Sequence, residues 1–313
     1  MTATQRPVVG TALSFQPGGN AVDDVVAAAR VATESGLGTV WLGQRFDYDA
    51  ISLAGIIGRE VPTIGVGTSA VPIFGRQPLL VAAAAQTAQA ATHGRFRLGL
   101  ALGSATFTEK AFGQPFRRPA QRLEEFLTVT REVLTTGTVE FHGTEIDTET
   151  PMPTALPGAE PVPEILVAAL GARALAVSGR LADGILPYLA DPAVLRHHIL
   201  PDLTRAATEA GRPVPRVVAL VPAVVTDDRT AGRAAFTQTM AFYDRIPSYR
   251  RVIELSGGDS AADLALVGTA DEVRDGLRRY LDAGAAEVVV TQTGLMGPDA
   301  ERATWEAVAD LAR

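Results

Sequence analysis

The chain has 313 residues, 47% of them hydrophobic and 20% charged, with 28 Lys and Arg against 35 Asp and Glu, a net charge of −7 and no cysteine. The acidic balance and the lack of a basic block argue against a nucleic-acid partner or a polybasic membrane contact, and the missing thiols exclude disulfides, thiolate nucleophiles and cysteine metal sites. The start, MTATQRPVVG, has no charged segment leading into an apolar one, and no apolar run approaches about 18 residues, so a soluble cytoplasmic protein is expected.

Strand-like and helix-like segments alternate along the chain. Residues 7–13 (PVVGTAL) read as a strand, and 23–34 as a helix with Val22, Val25, Val26 and Ala29 on one face and Gly36 at its end. A second strand at 39–43 (TVWLG) precedes a helix at 50–58. The third strand ends in GVGTSAVPIFGRQP at 65–78, where Gly65 and Gly67 have no side chain to pack. That pattern fits either a strand end supporting a flat ligand or an ordinary Pro-Gly loop. An alanine-rich helix at 79–92, a fourth strand at 95–102 (RFRLGLAL) and a long amphipathic helix at 119–135 follow.

The alternation pauses after Gly137. Residues 139–141 and 144–146 predict a hairpin around His142-Gly143, followed by a stiff return through Pro151, Pro153, Pro157, Pro161 and Pro163. It then resumes, with strands at 164–170, 183–187, 216–226 and 287–291 and helices at 173–181, 192–210, 270–283 and 299–311. Residues 230–268 exceed one crossover and predict two or three helices broken at Ile246-Pro247. Short, continuously apolar strands are expected where both faces are covered, so the pattern predicts an α/β chain, a (β/α)8 TIM barrel. It forms a single domain over 1–313, with insertions near 137–163 and 230–266.

Chemistry in such a barrel sits at the carboxyl ends of the strands. Here these are Ser14-Phe15, Gln44 to Asp47, Thr68 to Ala70, Gly103-Ser104, Gly171 to Arg173, Pro187-Tyr188, Val225-Thr226 and Gln292-Thr293. Asp47 is the only carboxylate in this set, and His93, His142, His197 and His198 all fall outside it. Neither a metal-ligand cluster nor a hydrolytic carboxylate pair is visible, and no metal site is assigned. Lys110, the only lysine, reads as a surface residue in a loop or helix start. Small and amide-bearing strand ends without acids of their own predict chemistry borrowed from an organic cofactor. In Leu170-Gly171-Ala172-Arg173, a glycine at a strand-to-helix turn exposes backbone N–H groups at the positive helix end, and Arg173 adds a guanidinium, a phosphate-binding pattern. A dinucleotide fingerprint is not met, because GVGTSA is followed by Pro-Ile-Phe-Gly and by no acidic residue about twenty positions on.

WLGQRFDYDAISLA (41–54), GVGTSAVPIFGRQPLLVAAAAQT (65–87), HGRFRLGLALGS (93–104), FGQPFRRPAQRLEEFL (112–127) and PEILVAALGARALAVSGRLADGILPY (163–188) together carry a resemblance over nearly the whole chain. The sequence resembles the bacterial-luciferase-like flavin and deazaflavin oxidoreductases, and within them the branch that uses coenzyme F420. The resemblance implies a non-prolyl cis peptide at Ser69-Ala70 behind the central cofactor ring, with Thr68 beside it. It implies Gln44 at the pyrimidine edge, Gly103 and Ser104 beside the ring, and Gly171, Ala172 and Arg173 at the phosphate. Glu109 falls where the family often has a carboxylate near the substrate, so Glu109 and Gln44 form the catalytic set. Tyr188 is counted with the cofactor contacts and, with Glu109 and water, as a proton source.

Two positions depart from the family. Gln44-Arg45 stand where some F420 enzymes have Asp-His, so no histidine proton donor carries over, and Ala172 stands where proline is common. The implied reaction is hydride transfer between the deazaflavin and an electron-poor C=C, C=N or carbonyl carbon of a small molecule. Alternatives are an FMN-dependent monooxygenase fed by a partner reductase, and a non-catalytic flavin-binding barrel. The polyglutamate tail of F420 favours a basic outer groove, with Arg45, Arg76, Arg173 and Arg180 as candidates. Residues 230–266, rich in aromatics, are expected to cover the substrate, and the family habit implies a homodimer.

Overall fold

The structure, a computed structural model, describes residues 7–14 and 19–312, so the predicted strand-end residue Phe15 lies outside the described residues. In chain order the strands are β1 (Val8–Ala12), β2 (Thr39–Leu42), β3 (Gly65–Thr68), β4 (Val71–Pro72), β5 (Phe96–Ala101) and β6 (Glu140–His142). They continue as β7 (Asp147–Glu149), β8 (Glu164–Ala168), β9 (Gly184–Ile185), β10 (Arg216–Val225), β11 (Leu266–Gly268) and β12 (Glu287–Thr291). β1, β2, β3, β5, β8, β9, β10 and β12 are the eight predicted strands alternating with helices, and the fold is a (β/α)8 barrel. Among the described residues no helix is long and apolar enough to cross a membrane.

Two compact units divide the chain, one of Met1–Trp41, Leu186–Pro201 and Arg216–Arg313, the other of Leu42–Ile185 and Asp202–Pro215. In the first unit the strands run parallel in the order β11, β10, β12, β1, β2. Residues 217–224 of β10 and all of β12 are buried, as continuously apolar strands covered on both faces should be. Helix Ala270–Asp282 starts at a capping box between Thr269 and Glu272 and buries Val273, Leu277 and Tyr280, which recur at helical spacing. Among the described residues the one buried carboxylate of this unit, Glu287, opens β12. It accepts hydrogen bonds from the Thr39 hydroxyl at 2.6 Å, the Trp41 indole at 3.1 Å and the Arg216 guanidinium at 3.1 Å. Thr39 and Arg216 open β2 and β10, so this network around the buried Glu287 carboxylate clamps the amino ends of the strands, away from the ends where barrel chemistry sits.

In the second unit β3, β5, β8 and β9 run parallel in that order, with β4 also on β5. Helix Pro78–Ala91 buries Val81, Ala82, Ala85 and Ala88, and its buried glutamines hold the proline-rich return. Gln86 donates to Thr154 O and accepts from Leu156 N, while Gln89 donates to Pro161 O and accepts from Phe96 N. A polar side chain on a buried helix face thus satisfies a loop that has no ladder of its own.

The hairpin differs from expectation. β6 pairs antiparallel with β7 at 147–149, three residues beyond the predicted 144–146. Residues 144–146 instead wrap a buried carboxylate: Glu125 accepts from Thr144 N at 3.0 Å, Glu145 N at 2.7 Å and Ile146 N at 2.8 Å, and from Gln121 at 2.8 Å. Those N–H groups are spent on Glu125 and cannot join a ladder. Gly143 opens the turn because a Cβ there would collide with the same carboxylate. The predicted break at Ile246-Pro247 is present, between a 3-10 turn at Tyr243–Arg245 and helix Pro247–Leu255. The predicted helix at 192–210 contains a π-turn at Leu195–Ile199 that holds His197 and His198. Lys110 and Glu109 lie inside helix Ala105–Phe112, beyond the loop or helix start that the sequence suggested for Lys110.

Candidate functional site

The second unit carries every predicted cofactor residue except Tyr188. At the end of β3, Thr68 is fully buried, and its hydroxyl donates to Gly99 O at 2.9 Å and accepts from Gly99 N at 2.8 Å, stitching β3 to β5. The Ser69-Ala70 peptide bond is cis, as the resemblance implies, and Ser69 N donates to Leu42 O at 2.7 Å. Both residues are half-buried, so the bulge between β3 and β4 keeps an open face. At the end of β5, Gly103 takes φ +72°, the left-handed region that favours glycine. Gly103 is exposed, Ser104 half-buried, and helix Ala105–Phe112 starts immediately after them.

Beyond β8, Gly171 is the N-cap of helix Ala172–Leu181 and supplies no side-chain cap. Gly171, Ala172 and Arg173 are exposed, and a Cβ built on Gly171 would meet nothing within 4 Å. The first-turn N–H groups are therefore open to a ligand, at the positive end of a helix ten residues long. Among the described residues Arg173 makes no hydrogen bond or ion pair, whereas the other proposed groove arginines are committed. Arg45 pairs with Asp47 at 2.9 Å, Arg76 with Asp49 at 2.7 Å and Arg180 with Glu124 at 2.8 Å. Of the four, Arg173 alone has its charge unspent among the described residues. This geometry suits a phosphate.

Gln44 ties the loop after β2 together. Its amide donates to the carbonyls of Arg45 and Tyr48 and accepts from Ala50 N at 3.1 Å and Arg76 at 2.9 Å. Asp49 caps helix Ala50–Glu60 through Ser52 N at 2.8 Å. Burial opposes the charge on Asp49, but the hydrogen bonds from Ser52 and Arg76 outweigh it and hold the carboxyl below the usual carboxylate range. Sequence reasoning missed this Gln44–Asp49–Arg76 network. Its one local signal is the Asp49-x-x-Ser52 capping spacing. Glu109 is exposed, and its nearest recorded partner is Phe116 N at 3.5 Å, at the limit of a hydrogen bond.

The first unit has a cluster of its own. Tyr188 is 8% exposed, and its hydroxyl donates to Gln292 Oε1 at 3.1 Å. Burial pushes its phenol well above the ordinary tyrosine value, and the neighbouring tyrosines add to this. Tyr243 and Tyr249, from the predicted cover segment, set their rings edge to face on it, with centroids at 5.1 and 5.9 Å. Among the described residues no three His, Cys, Asp or Glu side chains gather as a metal site would.

The profile described as luciferase-like monooxygenase matches residues 6–287. An uncharacterized Mycobacterium tuberculosis protein is 31% identical over 217 residues, 64% of this chain and 62% of that protein, so the chain spans less than two thirds of that relative's length. The F420-dependent glucose-6-phosphate dehydrogenase of Intrasporangium calvum is 26% identical over 264 residues, 78% of each chain. A solved F420-dependent secondary alcohol dehydrogenase superposes with a TM-score of 0.82 over 98% of this chain and 99% of its own, at 18% identity, a likeness of fold. With the family profile covering residues 6–287, the chain belongs to the luciferase-like monooxygenase family.

Proposed function

We propose that the protein is an F420-dependent oxidoreductase, moving a hydride between the deazaflavin and an electron-poor C=C, C=N or carbonyl carbon of a small organic substrate. The observation that carries this reading is the set of open strand ends in the second unit. Ser69-Ala70, Gly103-Ser104 and Gly171 to Arg173 offer backbone groups, small side chains and one unspent guanidinium. The carboxylates nearest to them in the β2 loop, Asp47 and Asp49, are both engaged by arginines. Apart from the exposed Glu109, such a set of residues binds and orients with little acid or base of its own, which favours a reactive group brought by the cofactor. When bound, the deazaflavin would donate or accept the hydride. The open turn at Gly171 and the exposed Arg173 fit the phosphate such a cofactor carries.

F420 is preferred to FMN because the Intrasporangium calvum relative, named for F420 dependence, matches over 78% of both chains. The second reading, an FMN monooxygenase supplied with reduced flavin, is favoured by the description of the family profile itself. Arg173→Ala tests the phosphate turn. Its F420 dissociation constant, measured by fluorescence titration, is expected to rise about tenfold, the worth of one charge-assisted contact. Unchanged affinity in a normally folded variant removes Arg173 and its turn from the site.

A further inference from the structure

Gln44, expected at the pyrimidine edge of the cofactor, has its whole amide engaged by the protein. A glutamine amide has two N–H donors and an oxygen with two lone pairs. Both donors are spent within its own loop, on the carbonyls of Arg45 and Tyr48. The oxygen accepts from Ala50 N at 3.1 Å and from Arg76 Nη2 at 2.9 Å. Arg76 comes from the loop after β4, and the same Nη2 donates to Asp49 Oδ2 at 2.7 Å. The two Asp49 oxygens have separate partners, since Oδ1 caps helix Ala50–Glu60 through Ser52 N at 2.8 Å while Oδ2 holds Arg76.

One guanidinium therefore joins two strand-end loops, all within the second unit. Residues 43–49 form no strand or helix, so their shape rests on the Gln44 amide and on the Tyr48 hydroxyl, which donates to Gly43 O at 2.6 Å. The loop at 73–77 follows the Ser69-Ala70 bulge through the two residues of β4. Backbone already pins that bulge to the end of β2, through Ser69 N and Leu42 O at 2.7 Å, and Arg76 adds a second tie further along both loops. The Arg76 and Asp49 side chains are 28% and 37% exposed, against 58% and 54% for Arg45 and Asp47, so water competes less for the tie than for that surface pair.

We infer that Arg76 and Gln44 are positioning residues for the cofactor: Arg76 fastens the β2 loop to the bulge between β3 and β4, and Gln44 acts through that loop without touching the ring. The inference rests on the proposed F420 reading and deepens it. A loop already ordered binds more tightly than one that must be ordered on binding, so breaking the tie weakens affinity although no contact to the ligand is removed. Fluorescence titration with F420 is expected to give a dissociation constant about tenfold higher in Arg76→Ala and in Gln44→Ala. The double variant should stay within about twofold of the larger single effect, because both changes break one network. Asp49→Asn keeps an oxygen to cap the helix but turns an amide N–H toward Arg76, and it should weaken F420 binding as well. An Arg76 that touched the anionic cofactor itself would instead be released by Asp49→Asn and bind it more tightly. In the cofactor-free full chain, backbone amide exchange at 43–50 should be about tenfold faster in Arg76→Ala and in Asp49→Asn, with 164–181 unchanged. Tighter or unchanged F420 binding in Asp49→Asn, effects that multiply in the double variant, or unchanged exchange at 43–50 overturns the inference. Faster loop exchange in the variants alongside a wild type that binds no F420 sinks only the cofactor reading and leaves the tie between the loops standing.

Discussion

Glu287→Ala is expected to lower the unfolding free energy by about 3 kcal/mol, the low end of the cost of removing one partner from a buried ion pair, because the Arg216 side chain stays 22% exposed. The carboxylate is fully buried and satisfies Thr39, Trp41 and Arg216 together. Its loss leaves the Arg216 guanidinium and the Trp41 N–H facing a cavity in place of an acceptor, beneath the strands of the first unit. Trp41 keeps one alternative acceptor, the Thr39 hydroxyl at 3.1 Å, which moderates the penalty. Glu287→Gln, which keeps the shape but loses the charge, should fall between wild type and Glu287→Ala. Urea unfolding followed by circular dichroism measures both variants. A loss below about 1 kcal/mol for the alanine variant, the range of an exposed pair, shows the network to be dispensable.

Glu125→Gln should cost about 2–3 kcal/mol at neutral pH, because four donors lose an ionised acceptor and one amide cannot serve all of them. Burial raises the Glu125 carboxyl, but the hydrogen bonds from Gln121 and from the N–H groups of Glu145, Thr144 and Ile146 outweigh it, holding the folded-state value below the ordinary one. The stability this group contributes is therefore fully present above its unfolded pKa of about 4.3, and it is lost as pH falls through the folded value. The gap between wild type and Glu125→Gln should be widest near neutral pH and close as the pH drops below about 4. A gap that is independent of pH over that window contradicts the assignment of the carboxylate as the ionised hub of the turn.

The barrel was legible because its strands are short apolar runs bounded by glycine or charge. β10 and β12 read as buried from Val217 onward and from Val288 onward, and their neighbours in the fold add nothing that contradicts the local pattern. The hairpin was misplaced by three residues for a reason no window of local sequence contains. Thr144 to Ile146 look β-prone, and a glutamate about twenty positions earlier takes their N–H groups. The strand-end set was readable as small residues at Ser69, Ala70, Gly103 and Gly171, and the cis bond at Ser69-Ala70 followed from the family resemblance and not from composition. What stayed hidden was which polar groups were already spent. Arg45, Arg76 and Arg180 look as available in the sequence as Arg173, and only the folded chain brings Asp47, Asp49 and Glu124 against them. Gln44 likewise reads as a ligand contact, whereas its amide also organises the loop that carries it. Tyr243 and Tyr249 were visible as an aromatic excess, but their convergence on Tyr188 required the tertiary structure.

The most direct test of the central claim is a paired titration of the purified chain with oxidised F420 and with FMN, followed by addition of a reductant or reduced cofactor under air. The account predicts saturable binding of F420 well ahead of FMN, and reduction or reoxidation of bound F420 without oxygen consumption. Tighter binding of FMN accompanied by oxygen uptake, or binding of neither cofactor, would contradict it.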